Sequence, residues 1–328
     1  MHTHLLLFAR DPGATNQALA FLRVLDGDAP GGLDYTVAKL SAFLPLSSEM
    51  PAVTIVARDY ACGRLSEEGI PHRTLAEYAG VPDTNTAPID ALRERIAADG
   101  ITHVMTGVSD NDDKTHQWFW QAARDAGIPC ATLLDDDLNL AARFTDAAGS
   151  VAWPDRVYAV SEHTRTELLD LGISGPAIEV IANLHLARLV DKTSAEDLAA
   201  ARTLRASWGA GADERVVLFA SQPIREMSAF GKPANFDEFD CLAQLSRRLN
   251  GDDAASLIVV RPHPRDVHGK YDGIAGEGPP RTIVSDAGTG VDAIRAADAV
   301  AGMTSMLLTE AEALSRPVIY LTGEGGEA

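Results

Sequence analysis

Ala299-Val-Ala-Gly-Met-Thr-Ser-Met-Leu-Leu-Thr-Glu-Ala-Glu-Ala-Leu-Ser-Arg-Pro-Val-Ile-Tyr-Leu321 packs a strand, a turn, a helix and a second strand into one short stretch. Ala299 to Gly302 is an apolar run of the kind buried on both faces, Met306 to Leu314 has helical spacing, and Val318 to Leu321 is apolar again. The same alternation extends outward over the whole chain. Strands are predicted at Leu5–Ala9, Val53–Ala57, His103–Thr106, Cys130–Leu134, Arg156–Val160 and Ile178–Ile181, then at Val216–Ala220, Leu257–Val260 and Thr282–Ser285. Helical periodicity fills Asn16–Leu25, Ile89–Ala98, Thr115–Ala126, Glu162–Leu171, Phe236–Leu249 and Val291–Ala296. Such alternation builds parallel, doubly wound sheets. It is interrupted after Ala182-Asn-Leu-His185 by a polar helical stretch, Ser194–Trp208. The expectation is an α/β chain of two Rossmann-like domains facing a cleft, residues 1–185 and 186–328, joined near 184–193. Ligands of such sheets lie at the carboxyl ends of the strands.

The 28 Lys and Arg stand against 47 Asp and Glu, a net charge of −19 over 328 residues. A surface this acidic repels polyphosphate, so nucleic acid and anionic membrane are excluded as partners. Any bound phosphate must be held locally, by backbone N–H groups, helix ends and a few Arg or His side chains. Cys62, Cys130 and Cys241 lie far apart and form no CxxC pair, which fits a reducing compartment. The amino end lacks the basic region and long apolar core of a signal peptide, and no apolar run reaches membrane-spanning length. A cytoplasmic protein without an integral span is expected.

In the opening stretch Thr304 and Ser305 stand where a helix begins, and Glu310 follows within two turns. Free N–H groups, the positive end of the helix dipole and two hydroxyls suit a diphosphate, and Glu310 suits the hydroxyls of a ribose. The plainer alternative is a helix cap. In Leu257-Ile-Val-Val-Arg-Pro-His-Pro-Arg-Asp266, prolines on both sides of His263 end the strand and fix the direction of the imidazole. With Arg261 and Arg265 beside it, His263 suits a phosphate, as a neutral donor or as a cation. Ser221-Gln-Pro-Ile-Arg-Glu226 adds Arg225 as a further candidate.

Together, a His-Pro motif after a strand, a Thr-Ser pair opening a later helix, Glu310 and the closing Arg316-Pro-Val-Ile resemble the nucleotide-binding half of GT-B-fold enzymes. The resemblance is to bacterial sialyltransferases and glycerophosphotransferases with His-Pro and Ser/Thr motifs, and to hydrolysing UDP-N-acetylglucosamine 2-epimerases. It covers roughly residues 215–322 by motif and the rest by layout. It implies that Thr304, Ser305 and His263 contact phosphate and that Glu310 holds the ribose. Met306 is counted in the same nucleotide site, although Ser305-Met306 departs from the epimerases' glycine pair and makes the backbone approach less open. At the amino end, Arg10-Asp-Pro-Gly-Ala-Thr-Asn16 sits like the first loop of GT-B enzymes, where Gly13 permits close approach and Arg10 resembles an Arg of the epimerases. This turn lacks GxGxxG spacing, which argues against NAD.

Carboxylates crowd two strand ends, in Gly107-Val-Ser-Asp-Asn-Asp-Asp113 and Leu134-Asp-Asp-Asp-Leu-Asn139. Like charges brought together raise a pKa, as a general base for an acceptor hydroxyl requires. Asp110 and Asp136 are the candidates, with Asp11 in reserve and His263 beside the transferred group. Helix capping is the alternative for Asp110 to Asp113. Asp110-Asn-Asp112 imitates a DxD motif that belongs to a different glycosyltransferase fold, so no metal is assigned. Of Trp118 and Trp120, at least one is expected in the core, and His116 and His185 carry no chemistry.

The leading expectation is a metal-independent, GT-B-like glycosyltransferase of polysaccharide or glycoconjugate biosynthesis. It would need no cofactor and would move a sugar or polyol phosphate from a UDP-, CDP- or CMP-linked donor to a sugar or polyol acceptor. An epimerase or hydrolase on the same scaffold and a non-catalytic nucleotide-binding or assembly protein are the alternatives. The chain ends soon after its last strand, where GT-B chains usually continue into helices, so a homodimer is expected to help close the domains.

Overall fold

The computed structural model describes residues 3–45, 51–82, 87–109, 113–191, 193–229, 235–251, 255–276 and 278–322. The chain divides into two compact units, Met1–Asp191 and Lys192–Ala328. The first contains β1 (His4–Ala9), β2 (Ala52–Ala57), β3 (Arg73–Thr74), β4 (His103–Thr106), β5 (Cys130–Leu133), β6 (Arg156–Ala159) and β7 (Ala177–Val180). The second contains β8 (Arg215–Ala220), β9 (Ser256–Arg261), β10 (Arg281–Val284), β11 (Ala299–Gly302) and β12 (Val318–Tyr320).

All neighbours in both sheets are parallel, in the orders β3-β2-β1-β4-β5-β6-β7 and β10-β9-β8-β11-β12. The first strand of each unit is thus central. Leu7 of β1 is in register with Ile55 on one side and Met105 on the other. Along β1, Leu5, Leu7 and Ala9 enter one core while Leu6 and Phe8 enter the other. Along β8, Val216, Leu218 and Ala220 alternate in the same way with Val217 and Phe219. Helices cover both faces, so these strands need to be apolar throughout rather than alternating.

The helices begin where local chemistry favours them. Ser194 with Asp197, Asp237 with Asp240 and Thr289 with Asp292 form reciprocal capping boxes ahead of Ala195–Ser207, Glu238–Asn250 and Gly290–Ala296. Helices at Asp34–Phe43, Tyr60–Glu67, Leu75–Ala79, Leu140–Arg143, Leu184–Asp191 and Ile224–Ala229 add to those expected. Leu184–Asp191 packs on Pro12–Leu25, with Arg188 Nη2 on the Asp28 carboxylate at 2.8 Å, and so extends the first unit to Asp191. Trp120 is 2% exposed and its indole N–H donates to Thr106 Oγ1 at 2.8 Å, which makes it core rather than a sugar platform. Trp118 packs at the edge of the same cluster. Cys130 and Cys241 are buried and Cys62 is half-buried.

The turn after β4 approaches the helix after β1 very closely. A Cβ on Gly107 would lie 2.4 Å from the Ala14 Cβ and 3.2 Å from its Cα. Gly107→Ala is therefore expected to lower the unfolding free energy in urea by about 1–3 kcal/mol. Gly63→Ala, inside Tyr60–Glu67 with nothing within 4 Å of the new methyl, is expected to raise it by about 0.5–1 kcal/mol. Equal effects at the two positions would remove the close-approach argument.

Candidate functional site

In each sheet the strand order reverses beside the first strand, between β1 and β4 and between β8 and β11. Loops leaving the carboxyl ends of such a pair diverge, and this divergence is where doubly wound sheets bind ligands.

In the second unit Ser221 and Gln222 follow β8, while Met303, Thr304 and Ser305 follow β11. The Gln222 side chain clamps Thr304: its Oε1 accepts the Thr304 N–H at 2.8 Å and its Nε2 donates to Thr304 Oγ1 at 3.0 Å. Accepting that bond leaves the Thr304 hydroxyl proton directed to another acceptor. Ser305 is the N-cap of Met306–Ala313, its Oγ accepting the Leu307 N–H at 3.3 Å. The approach is close because Gly302 lacks a side chain, since a Cβ there would lie 3.2 Å from the Ala220 carbonyl oxygen. Met306 opens the helix, and Glu310 in its next turn is 4% exposed.

β9 supplies His263 one strand over. Its Nδ1 accepts the Arg265 N–H at 3.0 Å, and burial, joined by Arg265, pushes the pKa of the ring down to about 4 against the pull of Asp266. His263 is therefore neutral at pH 7. The flanking arginines differ from one another. Arg261 donates to the carbonyls of Ala287 and Gly288 at 3.0 and 2.8 Å, closing the loop after β10, whereas Arg265 is exposed. Arg225 lies over Phe239, 4.0 Å from the ring centre, and its Nε meets Asp237 at 2.5 Å at the start of Glu238–Asn250. The structure thus places His263 after β9 and Thr304 and Ser305 after β11, on either side of β8, and uses Arg261 and Arg225 within the scaffold. Gln222, which clamps Thr304, was passed over because a neutral amide gives no signal in a sequence.

The first unit carries more charge but uses it internally. Arg10 donates to Asp11 (2.9 Å), Asp59 (2.8 Å) and Ser109 (3.2 Å) and lies 3.5 Å from Asp113. Arg58 donates to Thr115 Oγ1 at 2.7 Å and pairs with Asp113 at 2.8 Å. Burial pushes the Asp113 carboxyl up, but the bonds from Thr115 and the charges of Arg10 and Arg58 outweigh it and hold its pKa below the usual range. At the end of β5, Arg143, nearly buried, takes Asp135 at 2.9 Å and Asp136 at 2.8 Å. Gly13 does permit a close approach, but the group that uses it is Asp135: a Cβ on Gly13 would lie 1.8 Å from Asp135 Oδ2. A carboxylate of the chain itself thus lies against the first turn of Pro12–Leu25, where an anion is favoured.

For Asp113 the expectation of a carboxyl raised by mutual repulsion is corrected by these arginines; Asp11 pairs with Arg10, and Asp135 and Asp136 pair with Arg143. Asp110 lies outside the described residues, as do Asn111 and Asp112. Among the described residues no group of three His, Cys, Asp or Glu side chains is placed to hold a metal ion, and no helix is long and apolar enough to cross a membrane.

No family model matches the chain, and no curated protein matches it in sequence. Solved structures do match in fold. A UDP-GlcNAc 2-epimerase from Methanocaldococcus jannaschii, in complex with UDP-GlcNAc and UDP, aligns at 13% identity over 98% of this chain and 85% of its own, with a TM-score of 0.61. HepE of Anabaena, in complex with UDP and glucose, aligns at 16% identity over 97% and 80%, with a TM-score of 0.54. A glycosyltransferase from Rickettsia africae aligns at 13% over 97% and 79%, with a TM-score of 0.55. Two doubly wound units in series with these likenesses define the GT-B fold. Within it, the chain shares its architecture with glycosyltransferases and a UDP-GlcNAc 2-epimerase.

Beside the first unit's Arg143 network sits His116, 1% exposed, its Nε2 donating to the Arg143 carbonyl at 2.9 Å. Its Nδ1 has no hydrogen-bond partner among the described residues, and burial pushes its pKa down to about 4. The unfolded chain, at about 6.5, takes up the proton first. Stability from this group is therefore complete above pH 6.5 and lost as pH falls toward 4, by an amount on the order of 3 kcal/mol. Urea unfolding between pH 7 and 4 is expected to show that decline, with a shallower one in His116→Gln, which keeps a donor for the carbonyl.

Proposed function

We propose that the protein is a GT-B-type transferase that moves a sugar or polyol phosphate from a UDP-, CDP- or CMP-linked donor to a hydroxyl acceptor. The observation that carries this reading is the carboxyl edge of the second sheet, where the Thr304 hydroxyl and the Ser305 cap follow β11 and the neutral His263 ring follows β9, the two strands that flank β8. These are local donors of the kind a strongly acidic protein needs to hold a diphosphate. Neighbours in the fold solved with UDP or UDP-GlcNAc support the same donor class. In this scheme Thr304, Ser305, His263 and Arg265 bear on the phosphates, and Glu310 on the ribose. Catalysis is mostly positional: charge on the departing nucleotide is stabilised by fixed dipoles, and a carboxylate takes the acceptor proton. Asp110 and Asp136, with Asp11 in reserve, are the proposed bases; Asp136 and Asp11 pair with Arg143 and Arg10.

A second reading, a nucleotide-sugar epimerase or hydrolase, is favoured by the fold likeness to the Methanocaldococcus enzyme. The two readings differ in what happens to the donor without acceptor: a transferase retains it, and the alternative epimerises it or releases nucleotide.

Thermal melting with CMP, CDP, UDP, GDP, dTDP and NAD is the first test. A nucleotide at 100 times its Kd stabilises the fold by about 2.7 kcal/mol, a rise in Tm of a few degrees. A rise with UDP, CDP or CMP and none with NAD is expected, and His263→Ala and Ser305→Ala should each weaken that nucleotide about tenfold. Absence of any shift, or affinity indifferent to both substitutions, would remove the nucleotide assignment.

A further inference from the structure

The His263 turn is closed by its own last residue. The Asp266 N–H donates to the His263 carbonyl at 2.8 Å, and the Asp266 carboxylate accepts the His263 N–H at 2.7 Å. Pro264, at the second position of this turn, presets the backbone angle it needs. The imidazole folds back over the same turn, placing Nδ1 3.0 Å from the Arg265 N–H. A backbone N–H only donates, so Nδ1 accepts and carries no proton. In a neutral ring the proton is then on Nε2, which makes Nε2 a donor and not a base.

Asp266 does more than close the turn. Its Oδ2 also accepts the hydroxyl of Ser221 at 2.8 Å, and its Oδ1 accepts from Lys270 Nζ at 2.7 Å. Ser221 is the residue that leaves β8, and it also shares a hydrogen bond with the buried Tyr271 hydroxyl. Lys270, 5% exposed at its side chain, binds Glu226 at 2.8 Å and contacts the fully buried Glu238. Burial disfavours the ammonium, but its bonds to Asp266, Glu226 and Glu238 win and raise its pKa above the ordinary value. The Asp266 side chain, 2% exposed, is therefore a charged acceptor held on three sides, by Ser221, by Lys270 and by the His263 turn.

We propose that Asp266 is a positioning residue for His263: it ties the His-Pro turn to the end of β8 and holds the imidazole in its Nε2–H form. The catalytic consequence rests on the reading of His263 as a phosphate ligand. The ring then meets a phosphate oxygen with one neutral donor in a fixed place, next to the Gln222–Thr304 clamp that also leaves β8. Nothing in this arrangement lets Asp266 touch the ligand.

The test reads the ring directly. In protein labelled with nitrogen-15 at histidine, long-range proton–nitrogen correlation at pH 7 reports which ring nitrogen is protonated, and His263→Asn identifies the signal by its loss. A single Nε2–H form is expected in the wild type, and a mixture of the two tautomers in Asp266→Asn. An unchanged Nε2–H signal in folded Asp266→Asn, or a wild-type ring protonated on Nδ1, overturns the proposal. Should Asp266→Asn not fold, Ser221→Ala removes one bond to Oδ2 without altering charge. A shift toward two tautomers then supports the proposal and an unchanged ring overturns it. UDP titration forms a second arm: Asp266→Asn is expected to weaken UDP about five- to tenfold when His263 is present and not in a His263→Ala background. Equal losses in both backgrounds would make Asp266 merely structural. If UDP binds neither the wild type nor the variants, the nucleotide reading falls, while the tautomer measurement still decides the role of Asp266.

Discussion

A strand with helices against both faces and neighbours along both edges has no free surface except its ends. β1 and β8 are in that position: Leu5, Leu6 and Leu7, and Val216 through Ala220, are fully closed from solvent. Polar chemistry in either unit is thereby confined to the carboxyl ends, and the described candidate residues lie at such an end, on the loop that leaves it or in the first two turns of the helix that follows. The same confinement demands small residues where loops cross. Gly107, Gly302 and Gly13 each stand where a methyl group would meet a neighbour, and so mark how tightly the two reversal points are built.

The two units meet the shared geometry with opposite electrostatics. In the first, arginines and carboxylates neutralise one another, and Asp135 lies at the helix turn where a free unit would attract an anion. In the second, the loops after β8, β9 and β11 carry a serine, a threonine, a glutamine and a histidine that burial keeps uncharged. The ionic groups there are set one layer back, around Lys270. A buried charge cluster of this kind is weak evidence for stability, since desolvation offsets the attraction. Its value lies in geometry: a charged acceptor with two well-aligned donors holds two loops at a fixed separation.

Much of the fold was legible in the sequence because the strands are doubly buried and uniformly apolar. Ala299–Gly302 and His103–Thr106 coincide with β11 and β4, and Ile89–Ala98 and Thr115–Ala126 with their helices. What escaped notice had weak local signals. Tyr60–Glu67 has Gly63 in its middle, Leu140–Arg143 spans a single turn, and β3 is two residues long. The placement of Thr304, Ser305 and His263 after strands was legible because prolines, a strand end and a helix start fix them locally. The arginines were not: Arg225 and Arg261 read as phosphate ligands, yet Asp237 and two carbonyl groups engage them. The acidic run from Asp135 to Asp137 likewise gives no hint that Arg143 folds back onto it, and although Asp266 and Lys270 are four apart, Glu226 and Glu238 reach them only through the tertiary fold.

Placing the earliest strand at the centre of each sheet also shapes how the chain is made. β1 leaves the ribosome before the other strands of its sheet, yet one of its edges stays open until His103–Thr106 has been synthesised, on the order of ten seconds later at ordinary elongation rates. β8 waits in the same way for Ala299–Gly302. Through both intervals a segment apolar on both faces has an unpaired edge, the condition under which nascent chains join one another. A net charge of −19 spread along the chain sets neighbouring unfinished copies against one another during that wait. The acidity of the chain thus also acts while the protein is being made.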